Sequence, residues 1–153
     1  MSYCFDTSSF VNPWAKWYPP ETFPSLWQKV DLLITEGKII ACEEVLYEIE
    51  KQADDLHAWL KQRRSIFHPL TEEIQQATVE IQSQFPNLVD YRRQRSQADP
   101  FIIATALVHG KILITEEKFS DSLSRPKIPN VCKHFEVTCI SFLDLMKRES
   151  WTF

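Results

Sequence analysis

The stretch that decides the fold is ADPFIIATALVHGKILITEEK, residues 98–118. Pro100 near its start and Gly110 after the apolar run bracket a helix over 99–109, because proline suits a first turn and glycine a helix end. The five residues that follow, KILIT (111–115), form a short apolar run of the kind that is buried on both faces of a sheet. Asp99 opens the helix, and Glu116 and Glu117 follow the strand. An apolar helix feeding an apolar strand, with carboxylates at both ends, belongs in a parallel α/β sheet whose strand ends face a ligand.

The same pattern recurs outward along the chain. SYCFD (2–6), KIIAC (38–42) and VTCIS (137–141) read as three more strands. Helical patterns cover 23–36, 43–52, 54–67, 71–85 and 141–149, and Gly37 stands where the first of these stops. Alternation of strands and helices predicts an α/β fold of three layers, α/β/α, around a parallel sheet of four or five strands. No internal repeat or low-complexity segment interrupts it. A chain of 153 residues suits a single domain over 1–153, burying roughly 68–70% of its unfolded surface.

Composition excludes several function classes. Hydrophobic residues make up 44% and charged residues 25%, with no apolar run near the ~20 residues that span a bilayer. The start, MSYCFDTSSF, lacks the basic and apolar regions of a secretory signal, so a cytoplasmic protein without membrane association is expected. Cys4, Cys42, Cys132 and Cys139 show no zinc-finger spacing and are expected as reduced, buried thiols. With only two glycines, neither phosphate-cradling loop can be written. The four histidines have no serine or cysteine partner in a triad arrangement.

What remains is acidic. In an open α/β sheet the ligand sits beyond the carboxyl ends of the strands. Asp6 ends the first strand, Glu48 lies in the helix after the second, Asp99 starts the helix before the third, and Glu116 and Glu117 follow that strand. Each has an ordinary role available: Asp6 and Asp99 suit helix caps, and the glutamates suit solvated positions. Four such accidents at one sheet edge are less economical than one site. Gathered carboxylates repel one another unless a cation neutralises them, and an all-oxygen donor set suits Mg²⁺ or Mn²⁺. Asp6, Glu48, Asp99 and Glu117 together account for the whole net charge of −4.

These residues resemble the PIN domains, metal-dependent nucleases that include the VapC-type toxins. The likeness rests on YCFDTSSF, VLYEIE, ADPFIIATALVHG and LITEEK, and spans residue 3 to about residue 145. FDTSSF, NPW, YPP and RPKIPNVC look like one uncharacterised PIN-like family of bacteria and archaea. The resemblance implies a PIN-like fold, catalytic metal ligands at Asp6, Glu48, Asp99 and Glu117, and Mg²⁺ or Mn²⁺ as cofactor. At 117 the usual aspartate is replaced by glutamate, which leaves open whether Glu116 substitutes as the fourth ligand or the site binds only one ion tightly. Ser8 and Thr115 would be hydroxyls orienting the ligands.

The activity so implied is endoribonuclease, in the toxin of a toxin–antitoxin pair. The expected partners are an RNA substrate, an antitoxin protein encoded nearby, and a second copy of the chain. Two alternatives stand beside it: a PIN scaffold that binds RNA or a protein without cutting, and a housekeeping nuclease of RNA processing or DNA repair. For phosphate contacts the sequence offers YRRQRSQAD, with Arg92, Arg93 and Arg95 as cations and Tyr91 as a stacking ring. Arg63 and Arg64, on a helix, are expected to pair with acids. Trp14, Trp17, Tyr18 and Trp27 form either core or a flap over the first strand's end.

Overall fold

The computed structural model describes residues 1–90, 97–122 and 124–153. Tyr91, Arg92, Arg93 and Arg95 lie outside the described residues. Five parallel strands form one sheet: β1 (Tyr3–Phe5), β2 (Ile39–Cys42), β3 (Phe67–His68), β4 (Ile112–Ile114) and β5 (Cys139–Ile140), in the order β3-β2-β1-β4-β5. β1 is central and pairs Cys4 with Ile40 on one side and with Leu113 on the other. Its three residues are fully buried, as a strand covered on both faces requires.

The chain winds outward from β1 in one direction through β2 and β3, then returns to β4 and β5 on the other side. Parallel crossovers are right-handed as a rule, which assigns the two series of helices to opposite faces. The first series is α1 (Thr7–Asn12), a π-helical turn (Pro13–Trp17), α2 (Pro24–Thr35), α3 (Glu43–Glu50) and α4 (Asp54–Lys61). The second is α5 (Glu72–Gln84), α6 (Asp99–His109) and α7 (Ile128–His134), with α6 packed against α5, α7, β1 and β2. The last helix, α8 (Phe142–Arg148), returns to the first face, where the Phe142 ring meets Phe5, Tyr18 and Trp27.

Glycine ends two helices as expected: Gly37 and Gly110 take φ of +73° and +63°, which cost a residue with a Cβ. Sequence periodicity carries a helix through 54–67, but α4 stops at Lys61. A 3-10 turn (Arg64–Ile66) and the two-residue strand β3 follow. Arg63 causes part of this departure. Its guanidinium folds back over the Trp59 ring, 3.9 Å from the centroid, and bonds Asp31 at 2.6 Å. α1 and α7, of six and seven residues, have no counterpart in the sequence pattern.

The aromatic segment is mostly core. Trp14 and Trp27 are buried, their rings 4.9 Å apart, and Trp59 stands within 6 Å of both. Their indole N–H groups donate to Asp55 Oδ2 and to the Tyr18 carbonyl. Trp17 alone of the four is exposed among the large hydrophobic side chains. All four cysteines are free; three are buried and Cys139 is half-buried.

Candidate metal centre

The strand order reverses between β1 and β4, so the crevice of this sheet opens at their carboxyl ends. Asp6 leaves β1 there, and Thr115 leaves β4. A cavity of 220 Å³ at this point is lined by Asp6, Glu48, Asp99 and Glu117. The four acids come from four separate places in the chain: the end of β1, the middle of α3, the first turn of α6 and the loop after β4.

Asp6 does two things at once. It caps α1, accepting from the Ser9 amide at 2.8 Å, as its helix-cap role predicts. Its other contacts come from side-chain hydroxyls. Ser8 Oγ donates to the carboxylate at 2.8 Å, and Thr115 Oγ1 donates to Oδ2. Those two hydroxyls in turn accept from the amides of Glu116, at 3.0 Å, and Glu117, at 3.1 Å. One network therefore joins the ends of β1 and β4 and fixes the rotamer of Asp6. Burial pushes the Asp6 carboxyl up from 3.8 to about 7. The donated hydrogen bonds pull against that rise, and the nearby charge of Glu117 adds to it.

Glu48 is held from α1: Thr7 Oγ1 donates to its Oε1 at 2.5 Å. Asp99 is buried, and Ala98 rather than Asp99 occupies the N-cap of α6, so capping does not explain this acid. Glu117 accepts from the Ile128 amide at the start of α7, 3.2 Å from Oε2. Burial pushes the pKa of its carboxyl above the usual glutamate value, and the Glu48 charge adds to the rise. Glu116 points elsewhere. Its Oε1 accepts from the Phe142 amide at 2.7 Å, at the start of α8, and Glu116 is not among the residues lining the cavity.

Thr7, Val11, Asn12 and Gln52 also line the cavity, and sequence reasoning passed over them. A signal was available for two of them: Asn12 follows Ser8 by one helical turn, and Gln52 follows Glu48 by the same step. Among the described residues, no three His, Cys, Asp or Glu side chains form a ready-made metal cage. The donor set nonetheless fits Mg²⁺ or Mn²⁺. Such ions keep several waters and take only one or two carboxylates directly, so the remaining acids need stand no closer than a water's width.

Fold and acidic crevice together define the class: an α/β protein with a PIN-like fold. The solved structure of VapBC2 from Rickettsia felis bound to a DNA fragment from their promoter contains a chain that superposes with a TM-score of 0.51. The match covers 92% of this chain and 98% of that one at 13% identity. The sequence matches the family described as a domain of unknown function, DUF4411, over residues 3–153, and the chain belongs to that family. No curated protein matches it. No helix among the described residues is long and apolar enough to cross a membrane.

Proposed function

We propose that this protein is a Mg²⁺- or Mn²⁺-dependent endoribonuclease and the toxin half of a toxin–antitoxin pair. One observation carries the reading: four carboxylates from four distant segments line a single cavity at the switch point of the sheet. The likeness to a chain of a VapBC complex supports the fold on which that activity rests.

Asp6, Glu48, Asp99 and Glu117 would hold the ion. What a divalent cation supplies in such a site is activation of water and withdrawal of charge from the phosphoryl oxygens. The chain's own part is positioning. Ser8 and Thr115 hold the Asp6 carboxylate, and Thr7 holds Glu48, so these ligands are set before substrate arrives. Burial makes the charged form of Asp6 costly, and an incoming cation offsets that cost.

Purified protein should cut single-stranded RNA in the presence of Mn²⁺ and stop on addition of EDTA, with Asp99→Ala inactive yet folded. RNA binding with no cleavage under any divalent metal would replace this reading with the scaffold. The toxin assignment has its own test. Expression alone should slow bacterial growth, and Asp6→Ala, or co-expression of the adjacent gene, should relieve it. A partner could block the site by inserting an arginine fork among the carboxylates. Harmless overexpression of an active nuclease would point to a housekeeping enzyme.

A further inference from the structure

We infer that the surface formed by the β4–α7 loop and α7 is the track along which single-stranded RNA reaches the acidic crevice; this rests on the nuclease reading above. Residues 118–133 hold Lys118, Arg125, Lys127 and Lys133 against a single acid, Asp121, a net charge of +3 in a chain whose total is −4. All four cations are exposed, and none forms an ion pair within 4.0 Å among the described residues. The acids that precede them face inward: Glu116 and Glu117 give their carboxylates to the Phe142 and Ile128 amides. Glu117 faces the crevice, Glu116 turns to the start of α8, and the four cations face solvent.

The surface joins the site directly. Lys127 immediately precedes the residue whose amide binds Glu117, and its charge is felt by that carboxylate, as that of Lys118 is by Glu116. Phe119 is 61% exposed beside them, with Lys133 Nζ 6.0 Å from its ring centre. An exposed ring among exposed cations is what a flexible strand needs, one group for a base face and the others for phosphates. Asn130 braces the backbone that presents these groups. Its Oδ1 accepts from the Ser120 and Lys127 amides at 2.9 and 3.0 Å, and its Nδ2 donates to the Ser120 carbonyl at 3.1 Å. A backbone pinned in advance lowers the ordering cost of binding. Duplex DNA would not offer its base faces to Phe119, which favours a single strand.

Binding of fluorescein-labelled 15-nucleotide oligouridylate, measured by anisotropy in EDTA across a range of KCl, separates track from chemistry. The triple variant Lys118→Ala/Arg125→Ala/Lys127→Ala should bind more weakly, and the slope of log K against log salt should shrink by about 2, roughly 0.7 per lost phosphate contact. The arginine versions, Lys118→Arg and Lys127→Arg, should retain both affinity and slope. Phe119→Ala should lose roughly tenfold in affinity at an unchanged slope, with Phe119→Trp restoring it. Unchanged affinity and slope in the triple variant would overturn the inference, as would a preference for duplex DNA over the single strand. A wild type that binds as described but never cleaves would sink the nuclease reading alone. A triple variant that cleaves with unaltered KM would sink the track alone.

Discussion

Two cavities of equal volume, 220 Å³ each, open on this molecule, and their chemistry is opposite. One is the acidic crevice. The other lies between Pro20, Pro24, Trp27 and Trp59, and its two charged residues, Arg63 and Asp31, bond each other at 2.6 Å. In that second cavity the charges are already satisfied and the aromatic walls are packed as core. In the first, Asp6, Glu48 and Glu117 face like charges, with protein donors on some of their oxygens and no cation among the described residues that line the cavity. Size does not distinguish a site from a gap in packing. Gathered like charge does.

The contrast can be broken from either side, and the largest effect is expected in the aromatic cavity. Trp27→Ala should lower stability by about 3–5 kcal/mol, measured by urea denaturation, since it empties the centre of the tryptophan cluster. If the loss stays under about 1 kcal/mol, the cluster is not core. In the acidic crevice, Asp99→Asn should act on chemistry instead, lowering RNA cleavage at least ~100-fold while the protein stays folded. Loss of fold in that variant would make Asp99 a structural residue.

Next in size come the hydroxyls that hold Asp6. Ser8→Ala and Thr115→Val should each weaken Mn²⁺ affinity, read from thermal shift, by roughly 10- to 100-fold. Unaltered affinity would mean that Asp6 needs no bracing. A pH effect should follow. The folded state keeps the Asp6 proton up to about pH 7, whereas the unfolded chain releases it near 3.8. Stability from this group is thus full below about pH 4 and falls as pH rises toward 7. The metal-free melting temperature should therefore drop over that range by more in wild type than in Asp6→Asn, and millimolar Mn²⁺ should shrink the drop. Equal pH profiles for the two proteins would remove Asp6 as the cause. Smallest of all is Arg63→Ala. It breaks a half-exposed ion pair and should cost about 1 kcal/mol or less, with cleavage unchanged.

Much of the site is legible along the chain because short apolar strands end on polar residues, and the sheet gathers those ends. Asp6 and Thr115 are the first residues after β1 and β4, so their meeting follows from strand pairing alone. Glu48 needed the turn of α3 to aim it, and helical spacing was enough to put it at the border of the buried face. The choice between Glu116 and Glu117 was not legible, because adjacent residues in a loop have no period. In the structure the two carboxylates reach different helix amides, Phe142 for Glu116 and Ile128 for Glu117, and Glu117 lines the cavity.

By itself the sequence determined the local rules: which runs are buried on both faces, where Gly37 and Gly110 stop their helices, and that acids follow the strands. Burial pattern and backbone preference act between near neighbours, so they can be read without knowing the partner. Only the tertiary structure decided the rest. β3 exists because β2 offers an edge to two residues that have no strand signal of their own. Trp59 joins Trp14 and Trp27 across more than thirty residues of chain. Glu116 and Glu117 reach the amides of two different helices, while Lys118, Arg125, Lys127 and Lys133 stay exposed. These features depend on pairings between segments distant in the chain, and no local periodicity encodes them.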